Sequence, residues 1–205
     1  MVKRALPRRF YDRDALDVAP ELLNKLLVAN GVSARLVEVE AYRGHDDPGA
    51  HSFRGQTPRN ATMFGKPGLL YVYFSYGMHW CANAVCGPGT TPHAVLLRAA
   101  APVAGLETMR ARRTKARRDV DLCRGPGSLG QAFGFDRSFD GADLTRGSVR
   151  IVDDGVPPPV SPGVSPRVGL AVGKGDERAY RFFVRGDPHL SRAGSAPRSN
   201  PRRPS

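Results

Sequence analysis

Cysteine is scarce in this chain and does not come in pairs. Cys81, Cys86 and Cys123 form no C-x-x-C motif. That spacing excludes a disulfide scaffold and the common zinc ligand patterns, and it fits a reduced, cytosolic protein. No apolar run approaches the ~18 residues of a membrane span. The basic N-terminus, Met1 to Phe10, is not followed by an apolar segment with a small-residue cleavage site, so no signal peptide is expected. No internal repeat is present. Acidic residues are the minority charge, 19 against 31 Lys and Arg.

What is present is a basic, turn-rich chain of one-domain size. Its 205 residues are 40% hydrophobic, enough for one sizeable core. The 23 Gly and 18 Pro argue against an all-helical bundle. Net charge is +12 with a pI near 10.3, a surplus that attracts phosphate backbones. Residues 188–205 hold four Arg and no acid, and are too polar and Pro/Ser-rich to fold. Without those four the remainder still carries +8. The division expected is a single domain over 1–187 with a disordered basic tail over 188–205.

Periodicity predicts a mixed α+β domain, with short helices around an antiparallel sheet. Pro20 to Ala29 reads as a helix, with Leu22, Leu23, Leu26 and Leu27 on one face. Ala34 to Tyr42 reads as a strand on which Glu38 and Glu40 share a face. Residues 43–60 form a long loop rich in Gly, Pro, Asp and His, the kind that is more often functional than idle. Leu69 to Tyr76 and His79 to Cys86 read as a hairpin, with Tyr71 and Tyr73 on one face. Val95 to Ala99 is a buried strand, and a helix follows from Pro102 to about Arg113. A turn at Gly125–Ser128 leads into a short helix, and Val149 to Asp153 and Arg181 to Arg185 read as strands. Six basic residues among 110–118 spread around a helix without making one face, which suggests a solvated or mobile segment near DNA.

Several side chains stand out against ordinary packing roles. Tyr76 and Met78 flank Gly77 at the hairpin tip. Such aromatics usually pack back on their own hairpin, but two apolar side chains at the tip of a basic protein also suit a wedge between base pairs. Glu38 is taken as a half-exposed strand residue. Glu40, between Val39 and Ala41, needs a partner or a shifted pKa if buried, and a carboxylate that activates water is the functional alternative. Arg98, ending an apolar strand, suits it as partner. Tyr42, His51 and Tyr73 suit either a core or the walls of a flat pocket for a base. Asn83 is an uncommon strand residue, placed either to bond within the sheet or to meet a base edge. Asp46, Asp47 and His51 match no metal spacing, so neither metal nor other cofactor is expected.

The motifs V-E-V-E-A-Y-R-G, A-H-S, Q-T-P-R-N, M-F-G-K-P-G-L-L-Y-V-Y, Y-G-M-H, A-V-L-L-R-A, G-L-E-T-M-R, L-C-R-G-P and F-F-V-R-G occur in order between about Leu22 and Val184. Together they resemble the alkyladenine, or 3-methyladenine, DNA glycosylase family of the mammalian type. The resemblance implies an α+β domain with a β-hairpin entering the DNA minor groove. It implies a DNA repair enzyme that flips alkylated or deaminated purines, hypoxanthine included, from duplex DNA and hydrolyses the N-glycosidic bond. Glu40 is then the general base, with Arg98 and the backbone near Val168 holding it and the water. Tyr42 stacks on one face of the flipped base, with His51 and Tyr73 on the other. Tyr76 intercalates, and Asn83 disfavours the guanine 2-amino group. Thr57, Arg59, Met63 and Met78 line the groove and contact the backbone. The loop between His51 and Thr57 is one residue shorter than in the mammalian form. Ser128 stands where the family can carry a lysine, and Arg137 keeps a charge at a later position for the DNA backbone.

One carboxylate suffices for this hydrolysis, and no lysine is placed for a Schiff base, so base release without strand cleavage is expected. The expected partner is double-stranded DNA holding damaged purines, with other repair proteins as further contacts and no membrane. The protein is expected to be a monomer in the bacterial cytosol, on the nucleoid through DNA. Two rivals remain: a DNA- or RNA-binding module without chemistry, and a Mg²⁺-dependent nuclease. The intact Glu40, Arg98 and aromatic set counts against the first, and against the second counts that Asp46–Asp47 is the only local acidic pair where a Mg²⁺ site usually needs several carboxylates.

Overall fold

In a computed structural model, residues 4–75 and 77–191 are described. The strands are β1 (Arg4–Ala5), β2 (Leu26–Ala29), β3 (Val32–Tyr42), β4 (Leu70–Ser75), β5 (His79–Cys86), β6 (His93–Ala104), β7 (Arg150–Asp153), β8 (Gly163–Ser165) and β9 (Arg181–Phe183). The helices are α1 (Arg8–Tyr11), α2 (Ala15–Leu22), α3 (Leu106–Arg112) and α4 (Pro126–Phe133). All pairings are antiparallel, in the order β1-β7-β2-β3-β6-β5-β4. β9 joins the far half of β3 and carries β8. The architecture is the mixed α+β domain expected, a curled antiparallel sheet dressed with short helices.

The leucine quartet shows where periodicity misleads. Leu22, Leu23, Leu26 and Leu27 are all buried, and side chains of this size contribute roughly 1.5–3 kcal/mol each on burial. They do not share one helix. α2 begins earlier, at Ala15, with the Asp14 side chain capping the Leu16 N–H. It ends at Leu22, and Pro20 lies in its last turn, not its first. Asn24 then adopts φ +66°, and Leu26 and Leu27 continue into β2. Asn30 and Gly31, both at positive φ, turn β2 into β3, the geometry of a tight hairpin.

Other boundaries move for similar reasons. β6 runs on through Pro102, which pairs with Ala34, and Gly105 in the left-handed region starts α3 only at Leu106. α4 begins at Pro126, inside the expected turn, as proline suits a first helical position. α4 lies flat on β5. A Cβ added at Gly130 would stand 2.0 Å from the Trp80 carbonyl oxygen, so no other residue fits this contact.

The arginine-rich stretch is solvated, as expected, at Arg110, Lys115, Arg117 and Arg118, but Arg112 and Arg113 are tied to the body of the domain. Arg110 pairs with Asp119 and Arg118 with Asp121. Arg112 donates to the Ala132 carbonyl, and Arg113 to Leu122, Gln131 and Ser128. The expected tail also starts too early at residue 188. Arg124 Nε donates to the Leu190 carbonyl at 2.7 Å, and Ser191 is buried. The remainder of that tail, 192–205, lies outside the described residues. Among the described residues no helix is long and apolar enough to cross a membrane.

Candidate active site

β3 and β6 are the longest strands and pair along almost their whole length. Glu40 on β3 and Arg98 on β6 are both buried there. Oε1 of Glu40 accepts the Val168 backbone N–H at 2.8 Å and lies 3.2 Å from Nη1 of Arg98. Oε2 accepts the Tyr42 hydroxyl at 2.9 Å. The carboxylate is therefore oriented by two hydrogen bonds, from Val168 and Tyr42, and by the Arg98 ion pair.

The three partners of Glu40 line a cavity of about 440 Å³, and Glu40 itself lies behind that lining; the volume falls within the ~300–1,000 Å³ range of small-ligand sites. Tyr42, His51, Tyr73, Asn83, Arg98 and Val168 all reach its lining. Tyr42 is clamped from outside the cavity, with the Arg167 guanidinium 4.5 Å from its ring centroid. Burial, reinforced by the Glu40 charge, pushes the Tyr42 hydroxyl well above its ordinary pKa, so it stays a donor.

Arg167 is itself locked. It forms a fully buried pair with Asp47 and donates to the Ala41 and Gly175 carbonyls. Asp47 also accepts the N–H groups of Arg43 and Gly49. Burial opposes the Asp47 charge, but Arg167 and these N–H groups outweigh it and hold the carboxyl below its ordinary value. One buried pair thus anchors both the Tyr42 ring and the loop that delivers the Val168 N–H.

The opposite wall is aromatic. The His51 ring packs edge-on to Tyr73 at 4.5 Å, and Tyr71 and Tyr73 are stacked at 5.5 Å. His51 keeps an exposed edge at the mouth, and its Nδ1 lies 3.0 Å from the Tyr71 hydroxyl. Desolvation, then the nearby Arg59 charge, lowers the His51 pKa, which favours a neutral ring. Burial pushes Tyr71 up to about 12. Asn83 lines the cavity while its Nδ2 donates to the Tyr71 carbonyl at 3.1 Å, so the within-sheet bond and the cavity position coexist.

The outer residues are more dispersed. Arg59 lines the mouth and donates to the Phe74 carbonyl. Thr57 is exposed, with its hydroxyl bonded to Asn60. Met78, 67% exposed, stands at the hairpin tip. Arg137 sits on an exposed 3-10 turn away from the cavity lining. Met63 corrects the expectation of a groove contact: it is buried against Tyr71, Val85 and Ala94 and forms cavity wall. Tyr76, the expected wedge, lies outside the described residues. Among the described residues no three His, Cys, Asp or Glu side chains gather as a metal would need.

Glu38 is the clearest departure. It is not half-exposed but fully buried, and accepts from Arg98, Arg181 and Ser191. Its alternation with Glu40 was the available signal. Tyr71 had a comparable one in its alternation with Tyr73. Asp47 and Arg167, 120 residues apart, had none.

Residues 9–188 match the family described as methylpurine-DNA glycosylase. The chain belongs to this family. A Burkholderia lata protein named as a 3-methyladenine DNA glycosylase is 55% identical over 91% of this chain and 90% of its own length. Relatives of the same name from Burkholderia orbicola and Streptomyces avermitilis are 53% and 45% identical, over 94% and 91% of this chain and 93% and 90% of their own lengths. This methylpurine-DNA glycosylase relative is thus a DNA repair glycosylase, a hydrolase of N-glycosyl bonds acting on DNA.

Proposed function

We propose that this glycosylase draws a damaged purine out of duplex DNA into the Tyr42–His51–Tyr73 cavity and hydrolyses its bond to deoxyribose with Glu40 as general base. The observation that carries this reading is a buried carboxylate, oriented by Arg98, Val168 and Tyr42, directly behind an aromatic cavity of base-binding size. Water attacks C1′ and its proton passes to Glu40. The glycosidic electron pair leaves with the purine, and the carboxylate stabilises the cationic sugar as the bond breaks.

An alkylated purine already carries positive charge and leaves readily. Aromatic walls favour that cation, and a damaged or mispaired base costs least to unstack. Hypoxanthine belongs to the same substrate class by size. Tyr76 and Met78 fill the gap left in the duplex, with Thr57, Arg59 and Arg137 on the backbone side. The Asn83 side chain disfavours guanine. Among the described residues no lysine lines the cavity, so the product is an abasic site with the strand intact. We place the protein in the cytosol as a monomer, on DNA alongside other repair proteins.

The test incubates the protein and Glu40→Gln with duplex DNA carrying one alkylated purine or hypoxanthine, in EDTA, followed by hot alkali. Strand breaks only after alkali, lost in the variant and with no borohydride trapping, support the reading. Salt-sensitive DNA binding without abasic sites for any lesion refutes it.

A further inference from the structure

Glu38 has no part in the reading above, yet it is as buried as Glu40 and more heavily bonded. Its Oε1 accepts Arg98 Nε at 2.9 Å, Arg181 Nε at 2.7 Å and Ser191 Oγ at 2.7 Å, and its Oε2 accepts the Ser191 backbone N–H at 2.6 Å. A fully buried carboxylate with this set of donors is an engineered environment in energetic terms, because an unpaired charge there would be very costly.

The partners reveal what the group does. Arg98 offers Nε to Glu38, Nη2 to Ser191 Oγ at 3.2 Å, and only Nη1 to Glu40. An arginine facing a single carboxylate tends to close on it with two parallel hydrogen bonds. Here Glu38 and Ser191 hold two of the three guanidinium nitrogens, so Arg98 makes one contact to Glu40 and leaves Oε2 to Tyr42. The charges also balance: Glu38 and Glu40 face Arg98 and Arg181.

We propose that Glu38 is a positioning residue for the hydrolytic step, acting through Arg98 with Ser191 as its clamp, and that it keeps Glu40 a usable base by restraining Arg98 to a single contact. This rests on Glu40 being the general base. Without the Glu38 charge, Arg98 turns onto Glu40 as a two-point pair, and a carboxylate held by two charge-assisted hydrogen bonds is a weaker proton acceptor. Among the described residues Arg98, Arg181 and Ser191 face this group directly; Glu40, Tyr42 and Cys81 lie beyond Arg98, and Arg113, Asp121 and Arg124 share a cavity with Arg98 and Ser191.

The experiment compares single-turnover excision by the full chain, Glu38→Gln and Ser191→Ala across pH, with binding to uncleaved lesion DNA measured beside it. The expected result is a loss of about tenfold or more in Glu38→Gln and a smaller loss in Ser191→Ala, binding within about threefold of the parent, and an acid limb moved to lower pH. Glu38→Asp, which keeps the charge, restores part of the rate. If the rate falls equally at every pH with the acid limb unmoved, or if Glu38→Gln excises at the parent rate, the proposal is overturned. Ser191→Ala, which leaves both carboxylates in place, decides the matter if Glu38→Gln does not fold: a parent-like rate and pH profile in that variant overturns it. Failure of the parent chain on every lesion would instead refute the underlying assignment.

Discussion

Replacing Asp47 by Asn should unsettle the molecule far more than a one-atom change suggests. Both side chains of the Asp47–Arg167 pair have no exposed surface. Asn keeps the shape but leaves the Arg167 charge without a counter-ion, a change that costs about 3–5 kcal/mol when one partner of a buried pair is removed. For a chain of this length each kcal/mol moves the melting temperature by about 2–4 °C, so a fall of roughly 6–20 °C is expected. The comparison that isolates the cause is Asp47→Asn/Arg167→Met, in which neither member of the pair carries a charge. It should recover part of the loss, short of about 1–3 kcal/mol for each buried polar group left unpaired, since the Arg43 N–H loses its acceptor and the Ala41 and Gly175 carbonyls lose Arg167. Calorimetry of the parent, both single variants and the double variant closes the cycle. A single variant that melts within a degree or two of the parent, or a double variant no more stable than Asp47→Asn, would refute the reasoning. The recovered double variant should still excise slowly, because Arg167 also holds the Tyr42 ring and the segment bearing the Val168 N–H.

Two further outcomes follow from the same geometry. Tyr42→Phe keeps the ring but loses its bond to Glu40, and should bind lesion DNA within about threefold of the parent, whereas Tyr42→Ala loses the stacking surface and about 1–3 kcal/mol of affinity; equal binding by both would remove Tyr42 from the base site. Acid stability should fall late. Glu38 is held below its ordinary 4.5, since Arg181, Arg98 and Ser191 outweigh its burial, and Asp47 lies below 3.8 for the reasons given above. Asp143 is held at about 2, its burial outweighed by Thr145 and Arg8. A lowered folded value stabilises above the unfolded value and is lost as pH falls through the folded one. The melting temperature should therefore hold down to about pH 5 and drop between about pH 4 and 2; a drop centred near pH 6 would contradict it.

The sheet was legible wherever strands alternate cleanly, as in Leu70–Ser75 and His79–Cys86. Glu40, Arg98 and the aromatic set were named from the sequence because their residue types are out of place on apolar strands. Spacing failed in two ways. The leucine quartet fits a helical face and a helix-to-strand corner equally well, and only the positive φ of Asn24 separates them. Glu38 looked like an ordinary strand residue because its donors come from β6, β9 and Ser191, three segments distant in sequence. Irregular register between β3 and β6 around Leu36–Val39 also puts this stretch beyond simple alternation. Nothing in residue spacing could have joined Asp47 to Arg167.

The contact of α4 on β5 has a mechanical consequence. The β4–β5 hairpin carries Met78 at its tip, and the base-parting role proposed for that tip requires that it not bend under load. At Gly130 the helix backbone bears directly on the backbone of Trp80, with no side chain between them to act as a spring. The brace thus stands two residues from Met78 and not at the far end of the hairpin, so a load on the tip is carried by α4 before it can bend the strands.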